Sequence, residues 1–295
     1  MPLQKIQTQL LEIAYEDEGP SLGPVVFLLH GWPDDVRAWD QVAPVLHAGG
    51  FRTIAPYFRG FGPTRFLEAS TIRDGSGVAL AQDVIDLADA LGISSFSVAG
   101  HDWGARVAYI LAGLFPERIH SIATMALAFQ PRGEFRVPDL SQSRLFWYQW
   151  FMCVEGGAAA VRADPVGFAR IQWDTWSPSG WYEEKDFLRT SSSFENPDWV
   201  DITLHGYRSR WMPAESDPLY SALQRTLSKI DRLLTPTLVI HGSADSCDEP
   251  SGFEGMERYF TGNFKKLLLE GIGHFPPREA PGVVAEALAG HYIGK

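Results

Sequence analysis

The sequence predicts an α/β protein: a mostly parallel sheet with helices on both faces, interrupted late in the chain by a helical insertion. Three observations lead there. Over the first 130 residues short apolar runs alternate with amphipathic stretches of helical length, the rhythm of βαβ units. One run, Val25-Val26-Phe27-Leu28-Leu29, is apolar throughout, as a strand covered on both faces must be. The alternation stops near Pro131 and resumes near Thr237, which marks the intervening stretch as something of another kind.

Taken in order, Gln7 to Tyr15 alternates apolar and polar residues at period two and reads as one half-buried strand, closed by Glu16-Asp17-Glu18-Gly19-Pro20. The Val25–Leu29 strand runs into His30-Gly31-Trp32-Pro33, and Val36 to His47 reads as a helix. Arg52 to Pro56 is a strand, followed by a loop of turn formers from Arg59 to Thr64. Val78, Ala81, Ile85, Ala88 and Leu91 fall at helical spacing, with Gly92 as the stop. Phe96 to Ala99 is a strand, Arg106 to Phe115 a helix, and His120 to Leu127 another strand. From Pro131 to Lys229 no continuous apolar strand occurs. The periodicity there predicts helices over Ser143–Cys153, Gly167–Trp176, Glu183–Ser191 and Trp199–Trp211, and seven of the ten tryptophans lie in this span. Strands over Thr237–Ile240 and Lys265–Leu269 and a closing helix over Pro281–Ile293 complete the chain. The expected division is a core of residues 1–130 and 230–295 with a helical cap of residues 131–229.

Composition narrows the function classes. A chain of 295 residues can bury a large core, and its ten Trp and eighteen Phe make it aromatic-rich. A formal net charge of −11 without Lys/Arg clusters argues against nucleic acid or an anionic membrane as partner. Cys153 and Cys247 make no disulfide framework and have no metal-ligand spacing. Met1 to Glu12 lacks the apolar core of a signal peptide, and no run approaches membrane-spanning length. The expectation is a soluble, cytoplasmic protein, monomer or homodimer, with no metal and no organic cofactor.

The chemistry concentrates at three strand ends. In Gly100-His101-Asp102-Trp103-Gly104 small residues flank Asp102 at two positions either side, between an apolar strand and an amphipathic helix. Such a turn needs glycine because the central residue is strained and a neighbouring Cβ would clash. It has the form of a nucleophile elbow, with aspartate where serine is usual. Asp245 and His274 follow two later strands, at the sheet edge where open parallel sheets bind ligands. A carboxylate is ionised at neutral pH and needs no base to attack an sp³ carbon. The resulting ester must then be cleaved by water, which requires His274 as base and Asp245 to orient its ring. The backbone N–H groups of Trp32 and Trp103 are placed to receive the charge of a tetrahedral intermediate. Asp248, three residues beyond Asp245, is the rival for the acid; Asp245 is preferred because it follows the strand more closely. The competing roles are a helix cap for Asp102 and an ordinary loop histidine for His274. His30 and His101 read as structural, with His30 bracing the loop that carries Trp32.

His30-Gly31-Trp32-Pro33, Gly60-Phe61-Gly62-Pro63-Thr64, the Asp102 elbow, Gly242-Ser243-Ala244-Asp245 and Gly273-His274-Phe275 together resemble the α/β-hydrolase-fold epoxide hydrolases, a likeness that runs through almost the whole chain. Haloalkane and haloacid dehalogenases share the elbow, so the cap must discriminate. Epoxide hydrolases of this kind carry two cap tyrosines that protonate the epoxide oxygen. The resemblance places these at Tyr148, in Tyr148-Gln149, and Tyr207, in Tyr207-Arg208. It implies hydrolysis of an apolar small-molecule epoxide to a vicinal diol through an ester on Asp102. Trp103, Trp147, Trp150, Trp173, Trp176 and Phe275 are expected to line the substrate site. Ala105 departs mildly from the family, where glycine is frequent. The alternatives are a dehalogenase using the same aspartate, with indole N–H groups holding the halide, or a ligand-binding member of the fold without turnover.

Overall fold

The structure, a computed structural model, describes residues 3–293; the outermost ends of the expected core segments, residues 1–2 and 294–295, lie outside them. The chain opens with β1 (Leu3–Gln7) and β2 (Leu11–Glu18). They form an antiparallel hairpin in which Leu3 faces Glu16 and Gln7 faces Glu12. The single strand expected over 7–15 is therefore two. Thr8 makes the turn: its N–H and hydroxyl both donate to the Leu11 carbonyl. β2 runs on through the expected stop, paired with β4 and held there by Asp17, which accepts two hydrogen bonds from Arg52.

β3 (Val25–Leu29) follows, and the expected helix over 36–47 resolves into a 3-10 turn over Val36–Trp39 and α1 (Ala43–Ala48). Pro44, which has no N–H to give to a continuous helix, sits in the first turn of α1 where none is needed. β4 (Arg52–Pro56), the two-residue β5 (Arg65–Phe66), α2 (Gly77–Ala90), β6 (Phe96–His101), α3 (Trp103–Leu114) and β7 (Ile119–Met125) continue the core. The insertion holds α4 (Leu140–Leu145), α5 (Trp147–Cys153), α6 (Glu155–Ala163), α7 (Pro165–Thr175), α8 (Glu184–Ser191), α9 (Trp199–Trp211) and α10 (Ser221–Leu227). The helix expected over 143–153 is thus two, α4 and α5, and α6 and α10 are additional. β8 (Thr237–Gly242), β9 (Phe264–Leu269), α11 (Pro276–Glu279) and α12 (Pro281–Tyr292) return to the core.

Among the described residues these strands make a nine-stranded sheet in the order β1-β2-β4-β3-β6-β7-β8-β9, with β5 added to β2. Every pair from β4 to β9 is parallel; the pairs that β2 makes are antiparallel. Alternate residues of the buried strands sort into two cores. Phe27, Leu29, Val98, Ile122 and Val239 face α2 and α3 on one side. Val26, Leu28, Ala99, Ala123 and Ile240 face α1 and α12 on the other. That two-sided burial is why the strands read as unbroken apolar runs. Among the described residues no helix is long and apolar enough to cross a membrane.

Candidate active site

Parallel strands β6, β8 and β9 all end at one edge, so the residues that follow them meet although far apart in sequence. Asp102 follows β6 with φ 50° and ψ −109°, a conformation costly for a residue with a side chain and held here by its surroundings. A Cβ on Gly100 would stand 2.1 Å from the Gly104 carbonyl oxygen, and one on Gly104 would stand 2.1 Å from that of Leu29. Only glycine lets β6, α3 and β3 come this close.

The Asp102 carboxylate makes no bond to the first turn of α3, so it is not a helix cap. Its Oδ1 accepts instead from the Trp32 N–H at 2.8 Å, and its Oδ2 lies 3.8 Å from His274 Nε2. Trp103 opens α3, so its N–H belongs to the first turn, whose donors have no partner within the helix. On the far side of the imidazole, His274 Nδ1 lies 2.9 Å and 3.2 Å from the two oxygens of Asp245. Asp245 Oδ1 also accepts from the N–H groups of Cys247 and Asp248, at 2.8 Å and 3.0 Å. The carboxylate in contact with His274 is that of Asp245. Asp248 has turned away and lines the cavity that Asp102 borders.

Burial by itself would lower the His274 pKa. The adjacent charge and hydrogen bond of Asp245, with the charges of Asp102 and Asp248, outweigh it and raise the ring to about 9. Asp248 goes up to about 7, through burial first and the neighbouring Asp245 charge second. His30 and His101 fall to about 4 because they are buried, and both are structural. His30 Nε2 accepts from the Phe58 N–H, which leaves Nδ1–H to donate to the Gly31 carbonyl and fix the turn before Trp32. His101 Nε2 donates to the His274 carbonyl at 2.7 Å.

The insertion supplies the opposite wall. Tyr148 on α5 and Tyr207 on α9 are buried, with ring centroids 5.3 Å apart, and both rings lie against Trp32. Each phenol oxygen accepts from an N–H: Tyr148 from Gln149 Nε2 at 2.9 Å, Tyr207 from Trp103 Nε1 at 3.2 Å. A phenol whose oxygen already accepts still has its own proton to give. Burial pushes both well above the usual tyrosine range, so both stay protonated at neutral pH.

A cavity of about 420 Å³ is bordered by Asp102, Tyr148, Cys247 and Asp248. None of the six rings expected at the substrate lines it. Trp103 is engaged with Tyr207, and Trp176 packs on His274 at 4.8 Å and on Tyr148 at 4.9 Å, behind the site. Trp150 donates its indole N–H to Ser143, and Trp173 to Pro33. Trp147 is partly exposed against Phe151 and Phe168, and Phe275 stacks on Trp181. Aromatic content alone does not say which face of a cap helix turns inward, so these rings serve the packing of the insertion.

Several functional neighbours escaped the sequence. Ser177 and Glu279 hold the His274 loop: Ser177 Oγ accepts from the His274 N–H, and Glu279 accepts from the N–H groups of Gly273 and Phe275. Glu279 lies five residues after His274, a local signal that could have been read. Arg106 and Arg210 border the cavity, and Arg106, one helical turn after Asp102, was legible as a charge on the inward face of α3.

A nucleophile-bearing turn between parallel strand and helix, with acid and histidine after later strands, defines an α/β hydrolase. A model of the α/β-hydrolase fold matches residues 24–281, and the chain belongs to that family. Within it the chain belongs with the epoxide hydrolases, enzymes that act on ether bonds. It is 33% identical to epoxide hydrolase 3 of Siraitia grosvenorii over 88% of each chain. It is 27% identical to an epoxide hydrolase of Caballeronia sordidicola over 90% of this chain and 86% of the relative. The crystal structure of a candidate epoxide hydrolase from Klebsiella pneumoniae superimposes with a TM-score of 0.91 at 35% identity, covering 98% of this chain and 96% of the other.

Proposed function

We propose that the protein converts an epoxide and water to a vicinal diol through a covalent ester on Asp102, beneath a cap formed by residues 131–229. Asp102 Oδ2 attacks a ring carbon and the C–O bond of the ring breaks. The ring oxygen takes a proton from Tyr148 or Tyr207, and the phenolate left behind keeps the N–H donated by Gln149 or Trp103. Oδ1 becomes the ester carbonyl oxygen, already on the Trp32 N–H. Alkylation removes the Asp102 charge, one of the charges that hold the His274 ring protonated, so the ring more readily becomes the neutral base the second step needs. Water, deprotonated by His274 Nε2, then attacks Asp102 Cγ. The oxyanion rests on the Trp32 and Trp103 N–H groups, and the diol leaves with a proton from His274. The carboxyl proton remaining on Asp102 returns to the phenolate.

The observation that carries this reading is the pair of buried phenols beside Asp102, each with its oxygen accepting from an N–H donor, that of Tyr148 also 3.6 Å from Cys247 Sγ, the weakest of these partners and the one a ring oxygen can replace. A dehalogenase needs indole N–H groups for halide; of the candidates, those of Trp103, Trp150 and Trp173 are bonded to protein oxygens, which leaves Trp147, partly exposed, and Trp176, packed on His274 and Tyr148. A single turnover of styrene oxide in ¹⁸O-water tests the route. The label is expected in the peptide containing Asp102 and absent from the first equivalent of diol; diol labelled in that first turnover would exclude the ester.

A further inference from the structure

Among the described residues Arg106 and Arg210 form no ion pair with a carboxylate, which sets them apart from the arginines at 59 and 278. Arg59 is paired with Asp83, and Arg278 with Asp34. Arg106 forms no ion pair with a side chain, and its Nε is buried without a hydrogen-bond partner. Arg210 gives one hydrogen bond, Nη1 to Gln149 Oε1 at 3.1 Å, while its Nε and Nη2 are buried without partners. Both guanidinium groups lie on the ring of Phe135, 4.7 Å and 4.2 Å from its centroid. Both border the cavity that contains Asp102 and also a second cavity of about 370 Å³, so they stand where the two spaces meet. Both side chains are half-buried, and their buried N–H groups would gain from a negative partner.

We propose that Arg106 and Arg210 form a subsite for the carboxylate of the substrate, which makes the substrate class an epoxide carrying a carboxylate a few bonds from the ring. The proposal rests on the epoxide reading given above. Position supports it: the Arg106 N–H bonds the Asp102 carbonyl at 3.0 Å, and both side chains border the same cavity. A carboxylate on Arg106 thus leaves a nearby ring carbon within reach of Asp102. The charge balance favours a single negative charge. Asp102 and Asp248 share the cavity with the two arginines, so a dianion such as phosphate would be opposed by both. Three other acids stand at its border: Asp139, which accepts from the Gln142 N–H, Glu249, which accepts from Ser141, and Glu254. The carboxylate takes no part in bond making; it anchors the substrate while Asp102 opens the ring. An apolar epoxide, the class the aromatic content suggests, would leave both cations unpaired.

The test compares two substrates that differ only in charge, 3-phenylglycidate and its methyl ester, with the wild type and Arg106→Met. The wild type is expected to prefer the acid in kcat/KM by about tenfold or more, with Arg106→Met losing that preference and Arg106→Lys regaining part of it. Equal losses on both substrates, or a wild-type preference for the ester, would overturn the subsite and leave the epoxide reading standing. Should neither be turned over, 2-chloropropionate and calorimetric binding of 2,3-dihydroxy-3-phenylpropanoate separate the two claims. Chloride release or acid binding that Arg106→Met abolishes keeps the subsite, and turnover of styrene oxide, which has no carboxylate, decides epoxide hydrolysis separately. Absence of both overturns the subsite. Arg210→Met serves as the second variant, read by binding because Arg210 also supports Gln149 behind Tyr148.

Discussion

The sheet edge and the inserted helices hold their functional groups by different means. At the edge, the positions of Asp102, Asp245 and His274 follow from backbone. They sit just beyond strands whose register is set by a hydrogen-bonded ladder, and the turn at Asp102 leaves no room even for a methyl group at Gly100 or Gly104. In the insertion, Tyr148 and Tyr207 stand on separate helices with no ladder between them. Ring contacts to Trp32 and Trp176 and hydrogen bonds from Gln149 and Trp103 locate them. Asp102 is thus placed by steric exclusion, which tolerates almost nothing. Tyr148 and Tyr207 are placed by side-chain packing, which can yield and readjust.

That contrast can be broken at several points. The largest effect is expected for Gly104→Ala. With its new methyl 2.1 Å from the Leu29 carbonyl oxygen, β3, β6 and α3 must separate, costing about 3 kcal/mol or more of stability, and turnover should vanish with it. Urea unfolding and steady-state rates measure both; a stable, active variant would show that the elbow is not sterically fixed. Next comes Tyr148→Phe combined with Tyr207→Phe, expected to slow ester formation about a hundredfold or more in stopped-flow while the unfolding midpoint barely moves. Each single variant should lose much less, because the second phenol can still donate.

A smaller effect is expected from Gln149→Leu. It removes the N–H that holds the Tyr148 oxygen, and the rate of ester formation should fall about tenfold without loss of fold. An unchanged rate would mean that ring packing alone positions Tyr148. The smallest concerns pH. His274 is raised to about 9 in the folded protein against an ordinary value near 6.5, so the stability it contributes is complete below about 6.5 and is lost as pH rises through about 9. The melting temperature of the wild type should therefore fall between pH 7 and pH 9.5, and His274→Gln should flatten the fall. An unchanged slope would show that the Asp245 and Asp102 charges do not hold the ring protonated.

How much could be read in advance differs between the regions for the same reason. Gly100, Gly104 and the strand-end positions of Asp245 and His274 are local signals, since a tight turn and a buried strand each have a residue pattern of their own. Tyr148 and Tyr207 came from resemblance to a family, because nothing in their own neighbourhoods distinguishes them from other cap aromatics. The rings were less legible. Trp147, Trp150 and Trp173 do not line the cavity beside Asp102 and pack within the insertion, because a helical period gives a face without saying what it faces.

The sequence by itself determined the class of the fold and the turn at its edge. Continuous apolar runs demand a sheet buried on both sides, and an aspartate between glycines demands a strained turn at the strand end. Only the tertiary structure decided that Asp245 rather than Asp248 holds His274, that Trp103 serves Tyr207, and that Arg106 and Arg210 share the cavity. Each of those facts is a distance between elements far apart in the chain. Such distances depend on how helices pack over a sheet, and no local pattern of residues encodes them.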